Sequence, residues 1–260
     1  MSWWGKLIGG YIGFALGGPI GALLGVALGH NFDKDISAAP PIGQQNLSQA
    51  AFFTATFSVM GHICKADGRV TPDEISTARM IMAQMALSPA QKDAAITLFN
   101  EGKKDDFPLE DVLTQLKSEL GLAKNIKRIF VEIQCYAAYA DGVLHPSEQK
   151  LLERICQLIG FSRNEFERIL AAIAAESHHK KSGSIGKSGK MQAGDAYAIL
   201  NISANANDNE VKRAYRKLMS QHHPDKLVSK GLPEEMMKVA TQKTQEIRQA
   251  YECVMDERKQ

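Results

Sequence analysis

Three consecutive residues near the C-terminus carry chemistry that suits a polar contact with another protein: His223, Pro224 and Asp225. An imidazole donates or accepts a hydrogen bond, and a carboxylate pairs with an arginine of a partner. Pro224 fixes its own φ angle and restricts His223 to an extended conformation, so the turn is stiff before any partner arrives. A stiff turn loses less entropy on binding. The tripeptide therefore predicts a preorganised binding corner.

The helix that leads into this corner carries a cationic surface. An apolar stripe of Val211, Ala214, Tyr215 and Leu218 predicts an amphipathic helix from Asn209 to about Gln221, with Asp208 as its N-cap. Another side of the helix holds four cations, here called the basic ridge: Lys212, Arg213, Arg216 and Lys217. Clustered charge of one sign attracts an acidic surface over a distance and makes association sensitive to salt. A last helix is predicted from about Pro233 to Met255.

These features resemble the J domain of the DnaJ family, from Ala193 to the C-terminus. The resemblance rests on His-Pro-Asp, on K-R-A-Y-R-K-L-M before it and on Q-E-I-R-Q-A-Y after it. Two departures are visible, since His222 stands where the family has an aromatic residue and residues 227–232 lengthen the loop. The resemblance implies a protein that is not itself an enzyme and needs no cofactor. It implies docking on a DnaK-type chaperone and stimulation of ATP hydrolysis by that partner, through the basic ridge, His223, Pro224 and Asp225.

A second motif, A-D-G-x-x-x-P-x-E, occurs twice in the middle of the chain, 74 residues apart. Each copy follows an amphipathic helical pattern, so an internal duplication is the simplest explanation. Gly68 and Gly142 suit the left-handed residue that ends a helix, and Pro72 and Pro146 suit the first position of the next one. Thr71 is a favourable N-cap. With Glu74 at the third helical position it predicts a capping box.

The four acidic residues of the two copies also suggest a second function, an ion or ligand site: Asp67, Glu74, Asp141 and Glu148. An EF-hand requires oxygen ligands at positions 1, 3 and 5 of its loop, and Arg69 interrupts that series in the first copy. Turn and cap chemistry accounts for every residue of the motif, so no metal is predicted. The paired motif resembles the TerB (tellurite-resistance-like) helical domain from Leu47 to Glu176, which implies interaction more than catalysis.

The N-terminal segment has the properties of a membrane anchor. No charged residue lies between Leu7 and Gly29, and a helix of that length rises about 34 Å, enough for a hydrocarbon core of about 30 Å. Glycine recurs every four residues from Gly5 to Gly29, which favours close packing of two such helices in lipid. The predicted face of this homodimer is Gly9, Gly13, Gly17, Gly21 and Gly25. Pro19 predicts a kink in the helix.

A cleaved signal peptide is the alternative to an anchor, with Ser37-Ala38-Ala39 as the cleavage site. A single lysine before the apolar stretch and the length of that stretch both favour the anchor. One lysine on each flank leaves the orientation undetermined by charge. Because a DnaK-type partner is cytosolic, the resemblance implies an inner-membrane protein with a single span, its N-terminus outside and residues 36–260 in the cytoplasm.

Composition and motifs exclude other classes of protein. With 31 basic and 29 acidic residues, the chain lacks the charge of a nucleic-acid coat, so no nucleic-acid partner is predicted. Four scattered cysteines without a CxxC pair indicate reduced thiols. No P-loop, nucleophile elbow, HExxH or zinc-spaced cysteine pair is present.

The sequence as a whole predicts an all-α protein in five parts. Residues 1–35 form the single transmembrane helix, 36–46 a tether, 47–176 the TerB-like helical repeat, 177–192 a flexible linker and 193–260 the J-domain hairpin. The order of these parts resembles the membrane-anchored DnaJ-like proteins of bacteria. That resemblance implies a regulatory co-chaperone in envelope-stress or capsule-type signalling. The alternative is a membrane-associated sensor or scaffold in which the TerB-like part acts and the J domain only modulates it.

Overall fold

The structure is a computed structural model that describes residues 18–26, 44–66, 68, 72–85, 87–121, 123–139, 143–182, 191, 193–230, 232–233 and 236–258. These residues form helices and turns without a strand, so the all-α prediction is confirmed for the part of the chain that is described. The helices are α1 (18–26), α2 (Gln44–Cys64), α3 (Pro72–Gln84), α4 (Pro89–Gly102), α5 (Leu109–Leu120), α6 (Lys124–Ala138), α7 (Pro146–Ile159), α8 (Arg163–Ser182), α9 (Ala193–Ile199), α10 (Asp208–His222), α11 (Pro224–Val228) and α12 (Met237–Glu257).

Helix α2 is the centre of the TerB-like domain, which comprises α2 to α8. It packs against α4, α5, α6 and α7. Its middle is buried on every side and not along one stripe, because Thr54, Phe57 and Ser58 are 0% exposed, as are Phe52, Val59, Met60 and Ile63. The rings of Phe52 and Phe130 meet edge to face, with their centroids 6.1 Å apart. This contact joins α2 to the amphipathic helix α6.

Two glycines allow α2 and α4 to cross closely. A Cβ atom on Gly61 would lie 2.0 Å from the carbonyl oxygen of Phe99, and one on Gly102 would lie 1.7 Å from the carbonyl oxygen of Ser58. Both distances are far below a van der Waals contact. The helices therefore touch backbone to backbone, and no larger residue fits at either position without separating them.

The described part of the repeated motif shows the geometry of a turn followed by a helix cap. Helices α3 and α7 begin at Pro72 and Pro146, as predicted. Gly68 has a φ angle of +88°, a left-handed conformation that L side chains rarely adopt. Glu148 is 2% exposed, and its carboxylate accepts a hydrogen bond from the backbone N–H of His145 at 3.0 Å. The residues Asp67, Thr71, Asp141 and Gly142 lie outside the described part of the chain.

Helices α9 to α12 form the J-like domain, in which α10 and α12 are the two long helices of the predicted hairpin. Its core consists of residues from α9, α10 and α12: Ala196, Tyr197, Ile199, Leu200, Val211, Leu218, Ile247, Ala250 and Val254. The rings of Tyr215 and Tyr251 stack with their centroids 4.3 Å apart. The apolar stripes predicted for the two helices thus face one another.

Four helix boundaries differ from the expected ones, and the differences at α10 and α12 have a local reason. Asn207, not Asp208, caps α10, because Asn207 and Glu210 exchange hydrogen bonds at 3.0 and 2.7 Å in a capping box. Helix α12 begins at Met237, four residues after Pro233, since the N–H of Met236 bonds the carbonyl of Pro233 in a separate turn. Helix α2 begins within the predicted tether at Gln44, and α8 continues to Ser182 within the predicted linker.

The described part of the predicted anchor is the short helix α1. It lies against the TerB-like domain, where the backbone N–H of Ile20 donates to Oε1 of Gln115 at 2.9 Å. Ile20 and Leu23 are 3% and 8% exposed. A helix that crosses hydrocarbon cannot hold this contact, so insertion requires α1 to leave Gln115. Within the described residues, no helix combines the length and the apolar content needed to cross a membrane.

Candidate functional site

The corner formed by His223, Pro224 and Asp225 joins α10 directly to the short helix α11. His223 has φ −62° and ψ 120°, the extended conformation that a following proline imposes. Pro224 occupies the first position of α11, where a backbone N–H would have no helical partner. The predicted loop is therefore wrong in one respect, because Pro224 and Asp225 belong to a helical turn. Leu227 and Val228, which were expected to lengthen the loop, belong to the same turn.

Two hydrogen bonds fix this corner without using its functional side chains. The N–H of Leu227 donates to the carbonyl of His223 at 3.1 Å, which closes the first turn of α11. Nζ of Lys226 donates to Oγ of Ser220 at 3.0 Å and so ties α11 to α10. The side chains of His223 and Asp225 are exposed, and that of Pro224 is half-buried. The imidazole and the carboxylate are thus presented to solvent on a rigid backbone.

The four cations of the basic ridge are brought together on one exposed side of α10, as the sequence predicts. Lys212, Arg213, Arg216 and Lys217 are all exposed. Among the described residues none of them forms an ion pair, although Nε of Arg216 donates to the carbonyl of Lys212 at 3.3 Å. The ridge is adjacent to the corner because α10 ends at His222. Its positive charge is therefore not neutralised within the described part of the chain, and it adds to the field that an approaching acidic surface meets.

Arg258, which the sequence analysis did not single out, holds the N-terminal end of α10. Its guanidinium donates to Oδ1 of Asp208 at 2.8 Å, to the carbonyl of Ala206 at 2.5 Å and to the hydroxyl of Tyr197 at 3.1 Å. These bonds connect the end of α12 with the start of α10 and with α9. The far end of the helix that carries the ridge is therefore also held by side-chain hydrogen bonds.

Of the four acidic residues of the repeated motif, the structure describes Glu74 and Glu148, and it joins neither to an ion or ligand site among the described residues. Glu148 caps α7 and Glu74 is the third residue of α3, while Asp67 and Asp141 lie outside the described residues. No group of three or more histidine, cysteine or acidic residues with the geometry of a metal site occurs among the described residues.

Of the predicted glycine face, Gly21 and Gly25 lie in α1, and Gly9, Gly13 and Gly17 lie outside the described residues.

The structure also shows a buried group of charges that sequence reasoning missed, between α6 and the J-like domain. Nδ1 of His222 lies 3.9 Å from Oε2 of Glu132, and Nε of Arg128 donates to Oε1 of Glu132 at 2.8 Å. Burial lowers the pKa of His222 to about 4, against the opposing pull of Glu132. Burial raises the pKa of Glu132, but the charges of His222, Arg128 and Lys243 outweigh it and hold that pKa below its ordinary value. The sequence carries one signal of this buried group, since His222 stands where a J domain usually has an aromatic residue.

Three protein families match successive parts of the chain. The transmembrane domain of the co-chaperone DjlA matches residues 1–50, the tellurite resistance protein TerB matches residues 53–171, and the DnaJ domain matches residues 195–260. Together with the exposed corner and ridge, these matches define the class of protein, a membrane-anchored co-chaperone with a J domain. A J domain implies a DnaK-type partner.

Relatives of nearly the same length make the assignment more specific. Co-chaperone protein DjlA of Coxiella burnetii is 42% identical over 98% of this chain and 97% of its own. The proteins of the same name from Vibrio cholerae and Escherichia coli O157:H7 are 42% and 41% identical, each over 99% of both chains. The chain belongs to the DjlA family of co-chaperones. No solved structure matches it.

Proposed function

We propose that this co-chaperone recruits a DnaK-type chaperone to the inner membrane and stimulates its ATP hydrolysis through the corner His223-Pro224-Asp225. The observation that carries the proposal is the geometry of that corner: a fixed backbone that presents an imidazole and a carboxylate next to four cations that form no ion pair with any described residue. In this mechanism the basic ridge of Lys212, Arg213, Arg216 and Lys217 attracts an acidic surface of the chaperone. Asp225 then pairs with an arginine of the partner, and His223 hydrogen-bonds at the same contact.

The rigidity of the corner supports a role as an activator of the partner. Stimulation of an ATPase requires differential binding, because a ligand shifts an equilibrium only by the difference in its affinity for two states. A preordered corner loses little entropy on docking, so most of its binding energy remains available to favour one state of the partner. No hydrolysis takes place on this chain itself.

The test is single-turnover ATP hydrolysis by a DnaK-type chaperone in the presence of the full chain in lipid nanodiscs. His223→Gln and Asp225→Asn should each abolish stimulation and leave helicity unchanged, because both side chains are exposed and neither takes part in the two hydrogen bonds that fix the corner. Glu252→Gln is the matched control, since it removes one exposed carboxylate from α12 of the same domain. Normal stimulation by either corner variant would contradict the mechanism.

For the membrane part, the chain crosses the bilayer once, with the N-terminus outside and the remaining chain in the cytoplasm. Two copies pair through the glycine face, and the rest of the span contacts lipid. This arrangement is supported by the uncharged stretch from Leu7 to Gly29, by the glycine period and by the family match over residues 1–50. A localised J domain without zinc-spaced cysteine pairs favours a regulatory role, as in envelope-stress or capsule-type signalling. Protease added to inverted and to right-side-out membrane vesicles distinguishes the orientations, since only inverted vesicles should lose the J-like domain.

A further inference from the structure

We propose that the J-like domain docks on the TerB-like domain of the same chain through an interdomain cluster, consisting of Arg128, Glu132, Tyr136, His222 and Lys243. In this arrangement the TerB-like domain determines the direction in which the corner and the basic ridge face. The proposal goes beyond the action on a DnaK-type chaperone. It is tested without that partner, so either proposal can fail alone.

The first observation is that four apolar residues of the J-like domain are buried by the other domain. Leu227 and Leu232 are 0% exposed, Met236 is 1% and Ala240 is 3%. All four join the contiguous core of the TerB-like domain, whereas the core of the J-like domain is a separate cluster. Separation of the domains would expose this apolar surface, and its burial therefore favours docking.

Polar contacts give this apolar interface a defined register. Nζ of Lys243 on α12 donates to the hydroxyl of Tyr136 on α6 at 2.9 Å, and it lies 5.5 Å from the centre of that ring. Nε2 of Gln49 on α2 donates to the carbonyl of Leu232 at 3.4 Å. Directional bonds of this kind specify one docked orientation, which apolar burial alone does not.

The location of His222 links the interface to the functional corner. This residue ends α10, is 2% exposed and faces Glu132, while its neighbour His223 is exposed on the other side. All four cations of the ridge are also exposed in the docked form. Docking therefore leaves the proposed chaperone-binding surface uncovered and fixes its direction relative to the TerB-like domain.

The same cluster makes docking sensitive to acid. The charged groups that face His222 are Glu132 and Arg128 from α6 and Lys243 from α12, and α8 contributes the apolar residues Ile169, Ala172 and Ile173. Burial lowers the pKa of His222 to about 4 in the docked form, whereas an imidazole in solvent has a pKa of about 6.5, so the docked form holds this imidazole neutral. Docking is then strongest above pH 6.5 and weakens as the pH falls towards 4. The docking constant should fall about tenfold between pH 7.5 and pH 5.5.

Thiol labelling of the full chain in nanodiscs tests the interface. The background variant is Cys253→Ser, in which the remaining native cysteines are buried. In this background Leu232→Cys places a thiol in the interface, and Lys226→Cys places one at an exposed position as the reference. At pH 7.5 we expect a maleimide to react at least about tenfold more slowly at position 232 than at position 226. Equal rates at the two positions would overturn the proposal.

Variants of the cluster separate docking from the fold of either domain. Lys243→Glu places a carboxylate against Glu132 and should raise the labelling rate at position 232 about tenfold, whereas Lys238→Glu, an exposed control on the same helix, should not. Tyr136→Phe leaves the J-like domain intact and removes one hydrogen bond to a charged group, for an expected rise of about fivefold. If Lys243→Glu and Lys238→Glu behave alike, or Tyr136→Phe has no effect, the cluster does not hold the domains together.

The pH dependence is tested at His222 itself. Rates at position 232, divided by those at position 226 to remove the titration of the thiol, should rise about tenfold from pH 7.5 to pH 5.5 in the parent chain. His222→Phe replaces the imidazole with the kind of aromatic residue usual in J domains. This variant should retain protection at pH 7.5 and lose the pH dependence. A pH dependence that survives in it would show that another group is responsible.

Discussion

Removal of two cations from the basic ridge should weaken association with a DnaK-type chaperone without affecting the fold. Arg213→Ala with Lys217→Ala is the most informative pair, because both residues are exposed and neither side chain forms a hydrogen bond or ion pair with a described residue. Alanine is at least as favourable in a helix as either residue, so α10 should remain intact. The variant therefore removes charge and little else.

The size of the effect follows from the exposure of these groups. An exposed charge contributes about 0.5 kcal/mol to an interaction at moderate salt, so two should contribute about 1 kcal/mol, which is a fivefold change in dissociation constant. Most of the change should lie in the association rate. It should disappear at high salt, because the Debye length falls from about 10 Å at 0.1 M to about 3 Å at 1 M.

Surface plasmon resonance with the immobilised chaperone in the ATP state measures both rates. Lys230→Ala with Lys238→Ala is the matched control, since it removes the same net charge from exposed positions of the J-like domain outside the ridge. We expect the ridge pair to slow association about fivefold in 0.1 M salt and the control pair to have a much smaller effect. Equal slowing by the two pairs would show that only the net charge matters and would refute a specific role for the ridge.

Three further predictions concern the parts that support the site. Gly61→Ala should lower the free energy of unfolding of the TerB-like domain in urea by about 3 kcal/mol, since the added Cβ would lie 2.0 Å from the Phe99 carbonyl oxygen. Gly194→Ala is the control and should not lower stability, because a Cβ there has no neighbour within 4 Å. Glu148→Ala should cost about 1 kcal/mol in the same assay, because the N–H of His145 loses its acceptor; an unchanged midpoint would contradict the capping role. Gly17→Leu with Gly21→Leu should reduce crosslinked dimer in membranes without reducing insertion, and undiminished crosslinking would exclude the glycine face.

Local patterns in the sequence were sufficient to predict the main elements of the site. The period of Val211, Leu218, Ile247 and Val254 identifies the two helices of the hairpin, because buried faces are determined by neighbours a few residues away. His223-Pro224-Asp225 identifies the corner for the same reason, since the restriction that proline imposes acts on adjacent residues. The capping box of Asn207 and Glu210 was also visible as a spacing of three and would have corrected the start of α10.

Features that depend on contacts between distant parts of the chain could not be predicted in this way. Glu132 and His222 are 90 residues apart, and no local period shows that both become buried against each other. A charged residue on a predicted helix is ordinarily assigned to the solvent face, which is why Glu132 was overlooked. Gly61 and Gly102 were unremarkable in sequence for a similar reason, since only the crossing of α2 and α4 reveals their role.

Site-specific photocrosslinking tests the central claim most directly, because it asks which surface of this chain touches the chaperone. A photoreactive amino acid replaces Lys226, which is exposed on the helix of the corner, or Ile96, which is 47% exposed in the TerB-like domain. With the full chain in nanodiscs and a DnaK-type chaperone in the ATP state, position 226 should crosslink to the chaperone, and Asp225→Asn should abolish that crosslink. A crosslink from position 96 and none from position 226 would contradict the account.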